Sequence, residues 1–284
     1  MCRLFGQRSE PDLGLHEPLC SSHNALRVQS HQHPHGWGIG WYERGVPRVR
    51  RGLMPAHADA AFARAAHRAR SRIVVAHVRD ASVGPISIEN THPFVHRGWL
   101  FAHNGTVARF RASGRVRRAI EDRIDPTLRA AIGGETDSER CFHLFLTHLS
   151  RRLGRRRRAN LEDVRAAMAF TVREVAAIAD VPGGKRSTLN FLVSDGRLLA
   201  ACRHGKPLCM ALGAEGGRVF ALASEPIGGE DWEEVPDGGF AGLDAGHRLL
   251  ARALLPAPRK RGAPGGPGSR RAAPPARRAA RRSR

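Results

Sequence analysis

No Cys-x-x-Cys pair occurs among the five cysteines, Cys2, Cys20, Cys141, Cys202 and Cys209. An odd number without paired spacing argues against a disulfide framework or a cysteine zinc site, and fits a reducing compartment. No run is long and apolar enough to span a bilayer. The opening segment, MCRLFGQRSEPDLG, lacks the apolar stretch of a secretory signal. The expected location is the cytoplasm, with no membrane contact. Aromatic residues are scarce, at 6%, and no nucleic-acid recognition motif is present, which leaves little for base stacking. There is no internal repeat.

Arginine is abundant instead. The formal net charge is +21, which favours contact with anions and says nothing about fold. Much of the excess lies outside the patterned part of the chain. Residues 257–284 contain ten Lys or Arg, no acid, and nothing apolar larger than alanine. Such a segment cannot bury enough surface to offset its ordering entropy, so 256–284 reads as a disordered basic tail. Its expected partner is any anionic surface, without specificity. A second cluster, RRLGRRRR at Arg151–Arg158, separates two helical patterns and reads as an exposed loop.

The body, residues 2–255, reads as one domain. Strands are expected at Trp37–Tyr42, Arg72–Val78, Trp99–His103, Leu189–Asp195, Arg197–Cys202 and Arg218–Ser224. Asp195-Gly196 predicts a type I′ hairpin turn. Helical periodicity covers Ser138–Leu149 and Leu161–Ala179, with a third helix over Ala56–Arg68. Strands outnumber helices and many connections are hairpin-like. This predicts an α+β protein of antiparallel sheets with helices on their outer faces.

Four motifs carry chemistry, and each has an ordinary alternative. Cys2 becomes the first residue once Met1 is removed. Its α-amine then titrates near 7.7–8.0 and can serve as the base for its own thiol; the alternative is an incidental cysteine in a buried strand. Arg79, at the end of the second strand pattern, offers a fork for a carboxylate, or is a surface charge. Asn104-Gly105 ends a strand and reads as a tight turn. The same geometry could aim an amide and a backbone N–H at one oxyanion. Thr136-x-x-Glu139 is a capping box, which places Asp137 in a first helical turn; Asp137 could also hold an ammonium.

Together these residues resemble the class II glutamine amidotransferases, in the family's order. Cys2 follows the initiator, then come His77-x-Arg79, His103-Asn104-Gly105 and Thr136-Asp137-Ser138-Glu139. HGWGIGWY (His35–Tyr42), ENTHPF (Glu89–Phe94) and SEPIGGEDWEEVP (Ser224–Pro236) are also similar, the last to the stand-alone YafJ-like sub-type. The resemblance implies the four-layer αββα sandwich of N-terminal nucleophile hydrolases. It implies Cys2 as nucleophile, Asn104 and Gly105 as the oxyanion hole, and Arg79 and Asp137 as the grip on the amino-acid end of glutamine or a γ-glutamyl compound. It calls for no cofactor. Ammonia transfer would need a partner synthase or other acceptor enzyme. One departure stands out: His35 occupies a position where the family commonly has aspartate.

Two competing readings remain. His31, His33 and His35, if extended, would point one way and suit a transition metal; Pro34 and the lack of nearby acids or cysteines weaken this, and no metal is assigned. An inactive relative could serve as a basic binding or regulatory module.

Overall fold

The computed structural model describes residues 2–10, 14–213, 219–229 and 231–254. In chain order its strands are β1 (Arg3–Ser9), β2 (Trp37–Glu43), β3 (Val46–Gly52), β4 (Ile73–Val78), β5 (Phe94–His96), β6 (Trp99–Thr106), β7 (Thr188–Ser194), β8 (Leu199–Cys202), β9 (Cys209–Leu212), β10 (Val219–Ala223), β11 (Trp232–Glu234), β12 (Gly239–Leu243) and β13 (Leu249–Ala253). The helices are α1 (Leu26–Gln29), α2 (Ala60–Arg68), α3 (Gly114–Glu121), α4 (Pro126–Arg129), α5 (Asp137–Leu153) and α6 (Leu161–Ala179), with a π-helical turn at Glu17–Ser21. The expected basic tail, 256–284, lies outside the described residues. No helix among those described is long and apolar enough to cross a membrane.

Two sheets form. The first has the order β11-β9-β10-β1-β4-β2-β3 and the second β13-β12-β8-β7-β6-β5, with the named strand pairs antiparallel throughout. Side-chain alternation sorts each strand's residues into two layers. In β4, Ile73 and Val75 face the other sheet with Leu4, Leu192 and Leu199. Val74, Ala76 and Val78 face outward, against Phe62 and Ala66 of α2. On the second sheet, Phe101, Phe191 and Val193 meet Phe142, Phe145 and Val172 of α5 and α6. Each large apolar side chain buried in this way contributes about 1.5–3 kcal/mol. The result is the αββα sandwich expected from the sequence. Gly6 of β1 lets the sheets approach: a Cβ there would stand 3.0 Å from the Leu192 methyls.

Local chemistry moved several boundaries. The helix expected from Ala56 begins at Ala60, because Asp59 caps it. One oxygen of Asp59 accepts from the Ala61 N–H at 2.8 Å, and the other accepts from the Trp37 indole at 2.8 Å. The β7–β8 hairpin forms, but its turn is not type I′. Gly196 has φ +84° while Asp195 stays out of the left-handed region. The Asp195 carboxylate instead accepts from the N–H groups of Arg197 and Leu198, a local alternative to the backbone turn bond.

The Arg151–Arg158 cluster is only partly a loop. Arg151–Leu153 complete α5. Arg152 and Arg156 both donate to the buried Asp163 carboxylate, at 2.8–2.9 Å. Asp163 also closes a reciprocal capping box with Asn160 at the start of α6. Asp163→Ala is expected to lower stability by about 1–3 kcal/mol, measured by urea unfolding. The Arg156 hydrogen bond is the main influence holding the Asp163 carboxyl below its usual range, and burial opposes it. A depressed carboxylate stabilises above its unfolded pKa, about 3.9, and that contribution fades as the pH falls below it.

Candidate active site

β1 lies between β10 and β4 in the first sheet, which sets Cys2, just before β1, opposite Arg79, just after β4. The register Arg3–Val78 fixes this. Cys2 is half-buried. Its sulfur accepts from the Asp80 N–H at 3.3 Å and donates to the Asp80 carbonyl at 3.5 Å. Burial raises the thiol pKa, and the Asp80 backbone contact opposes the rise.

The Arg79 side chain is buried, at 2% exposure, not a surface charge. Its guanidinium donates to the carbonyls of Val83 and Pro85 at 3.0 Å and of Gly84 at 3.4 Å. The Nε–H takes part in none of these three contacts. Cys2 and Asp137 both lie within its electrostatic reach. Asn90 braces the same loop, donating to Pro85 O at 3.1 Å and accepting from the Glu135 N–H at 2.8 Å. The 83–90 and 133–136 segments are thereby stitched together above Arg79.

Asp137 is the first residue of α5 and is 3% exposed. One oxygen accepts from the Val107 N–H at 2.7 Å and the other from the Ser138 N–H at 2.9 Å. The capping box is half made: Thr136 accepts from the Glu139 N–H, but the Glu139 carboxylate turns to the N–H groups of Gly133 and Gly134.

The tight-turn reading of Asn104-Gly105 does not hold. Both residues lie inside β6, paired with Asn190 and Leu189 of β7. Glycine is required at 105 by close approach, because a Cβ would collide with the Thr188 carbonyl oxygen and crowd His103 Nε2. Gly105→Ala is therefore expected to cost several kcal/mol and to yield little soluble protein, seen as a lowered urea midpoint. Asn104 is 3% exposed, and its Nδ2 donates to Ser224 Oγ at 3.0 Å. His103 Nε2 donates to the Thr188 carbonyl at 3.0 Å, so its Nδ1 accepts from the Ser138 hydroxyl at 2.9 Å. Burial keeps this imidazole neutral against the pull of Asp137. His103 thus ties β6 to the start of α5, and with it Asn104 to Asp137.

A thiol, a buried cation, a buried carboxylate and an amide therefore meet at one end of the gap between the sheets. The family model for class II glutamine amidotransferases matches residues 1–215. The chain belongs to the class II glutamine amidotransferases. It is 31% identical over 252 residues to a γ-glutamyl-hercynylcysteine sulfoxide hydrolase of Mycobacterium tuberculosis, an alignment covering 84% of this chain and 90% of the relative. It is 30% identical over 211 residues to the putative glutamine amidotransferase YafJ of Escherichia coli, covering 71% and 72%. Among solved structures, a class II domain protein from Silicibacter pomeroyi superposes with a TM-score of 0.63 at 22% identity, covering 90% of this chain and 100% of that one. These relatives mark the chain as an amide-cleaving enzyme of the amidohydrolase and amidotransferase kind.

The departure from the family at His35 falls on the rim of the site. Its backbone N–H donates to Arg79 O at 3.0 Å. Its Nδ1 accepts from the Ala81 N–H at 3.1 Å and stands 3.2 Å from an Asp80 carboxylate oxygen. The imidazole leans on the segment whose backbone holds the Cys2 sulfur. Of the two neighbouring histidines, His33 also lies within electrostatic reach of Asp80. His31 stacks on His57 at 3.8 Å, while His33 is buried, which pushes its pKa down to about 4. His33 and His35 thus share the surroundings of Asp80, while His31 packs on His57. Among the described residues no group of three or more His, Cys, Asp or Glu could hold a metal ion.

Three residues of the resembling segments were given no role by the sequence. Ser224 sits in a segment noted only for its resemblance, and nothing in its spacing links it to Asn104. His77 and His92 are buried side by side, their rings 4.2 Å apart. Burial pushes His77 down to about 3 and His92 well below its usual value, so both are neutral packing groups of the inner gap.

Proposed function

We propose that residues 2–255 form one domain that cleaves the side-chain amide of a γ-glutamyl compound, glutamine being the smallest, through a thioester on Cys2. The observation that carries this reading is the convergence around Cys2. Arg79 approaches from the neighbouring strand end, Asn104 and Gly105 from the facing sheet, and Asp137 from the helix beneath that sheet.

The geometry supports a role for each group. Removal of Met1 leaves the Cys2 α-amine beside its thiol. That amine takes the thiol proton, and the sulfur attacks the amide carbon. The oxyanion accepts from the Asn104 side chain and the Gly105 N–H. The C–N bond breaks as the α-amine passes its proton to the departing nitrogen. Water then cleaves the thioester, releasing glutamate and restoring the thiol. The substrate's α-carboxylate accepts from the Arg79 guanidinium, and its ammonium donates to the Asp137 carboxylate.

The alignment with a hydrolase named for a γ-glutamyl-hercynylcysteine sulfoxide runs over most of both chains. That favours hydrolysis with an amine leaving group larger than ammonia. Transfer of ammonia to a partner synthase is the second reading; the alignment with a putative amidotransferase supports it. The test is intact mass spectrometry after exposure to 6-diazo-5-oxo-norleucine, followed by rate measurements on glutamine and on γ-glutamyl amides. One adduct is expected on a chain lacking Met1, absent from Cys2→Ala. A wild-type chain that keeps Met1 and takes no label would end the proposal.

A further inference from the structure

We infer that Ser224 is a positioning residue for the oxyanion hole, and that it acts by holding Asn104 in register with the strand that carries Cys2. The inference rests on the reading of Asn104 as an oxyanion donor. The difficulty it resolves is geometric. Cys2 precedes β1 of the first sheet, whereas Asn104 belongs to β6 of the second. Both apolar layers that define their spacing are non-directional and permit sliding, because dispersion and burial set contact without fixing an angle. An oxyanion donor must stand about 2.7–3.1 Å from the position the developing charge will occupy. Something polar and directional has to connect the two sheets at this end.

Ser224 is built to do that. It follows β10 directly, and its backbone N–H donates to the Leu4 carbonyl at 3.0 Å, extending the β10–β1 ladder. Its hydroxyl oxygen accepts from the Leu4 N–H at 3.1 Å. The same oxygen accepts from Asn104 Nδ2 at 3.0 Å. One atom thus receives a donor from each sheet, two residues along β1 from the nucleophile. Ser224 is 3% exposed, so water does not compete for these bonds. One Nδ2 hydrogen of Asn104 is fixed toward Ser224, which leaves the other as the oxyanion donor with a set direction. The neighbouring Glu225 pairs with Arg3, and Arg3 also donates to the Cys2 carbonyl at 3.4 Å. The Ser224–Glu225 step therefore braces both ends of the strand start.

The experiment is a double-mutant cycle on the full chain, with steady-state rates on a γ-glutamyl amide. Ser224→Ala is expected to lower kcat about tenfold to a hundredfold with KM nearly unchanged. Ser224→Cys, which keeps the volume but is a poor acceptor, should behave the same way and covers the case where alanine folds badly. Ser224→Thr should recover most of the rate. In an Asn104→Ala background, removal of the Ser224 hydroxyl should cost less than threefold, because the group it positions is gone. A full additional loss in that background, or a change confined to KM, would overturn the inference. A wild-type enzyme inert toward every γ-glutamyl amide would instead strike the proposed function, so the two failures are distinguishable.

Discussion

Replacement of Cys2 by alanine is expected to lower γ-glutamyl hydrolysis by about four orders of magnitude or more, with the fold intact. Removing a nucleophile typically costs this much, because the remaining groups can only orient water. Among the described residues the sulfur's hydrogen bonds run to the backbone of Asp80, so its loss leaves no described buried side chain unpaired. The far-ultraviolet circular dichroism and the urea midpoint should therefore stay near wild type. Cys2→Ser is the sharper comparison. Its hydroxyl would form the same contacts but is far less acidic than the thiol, and a loss nearly as large is expected. Burial already raises the thiol pKa, so the reaction depends on an adjacent base. A variant that retains the initiator methionine should be as inactive as Cys2→Ala, while all five of its cysteines still titrate with a thiol reagent after unfolding.

Asn104→Ala is expected to reduce kcat by about 10²–10³, the usual cost of one missing oxyanion donor, while KM moves little. The split follows from position. Asn104 lies on the facing sheet beside the proposed reacting carbon, whereas Arg79 and Asp137 are assigned to the amino-acid end of the substrate. Substitution at either of those two should instead appear largely in KM. Stopped-flow measurement of acylation, followed by steady-state turnover, separates the cases. A rise in KM for Asn104→Ala with kcat unchanged would place the amide at the binding end and remove its proposed role. Asn104→Asp is the stricter form: a carboxylate in this buried position would repel the oxyanion, so an even larger loss is expected.

Much of this enzyme was legible without its coordinates, for reasons particular to the residues. Leu161–Ala179 formed the helix its periodicity predicts because Leu161, Val164, Met168, Val172 and Val175 share one buried stripe. The strand at Ile73–Val78 was readable as a short apolar run, buried on both faces between helix and sheet. Asn104-Gly105 misled for an equally definite reason. The pair is a strong local turn signal, yet pairing with β7 and the crowding at Thr188 hold both residues in a strand. Thr136-x-x-Glu139 predicted the start of α5, but the Glu139 carboxylate found the two glycine N–H groups closer to hand. In the arginine cluster, two side chains that looked solvated turned out to hold Asp163, a partner that lies seven and eleven residues away.

Order along the chain determined the family, the two long helices, the six strands it predicted, and the residue types gathered near the first cysteine. These are local properties: period, turn chemistry and motif spacing are set by neighbours a few positions apart. Only the tertiary structure decided that Arg79 is buried against its own loop, that His31 stacks on His57, and that Ser224 joins Leu4 to Asn104 across 220 and 120 positions of sequence. The reason is strand order. β1 pairs with β10 from the far end of the chain, and no pattern within either segment specifies which strand will lie beside it.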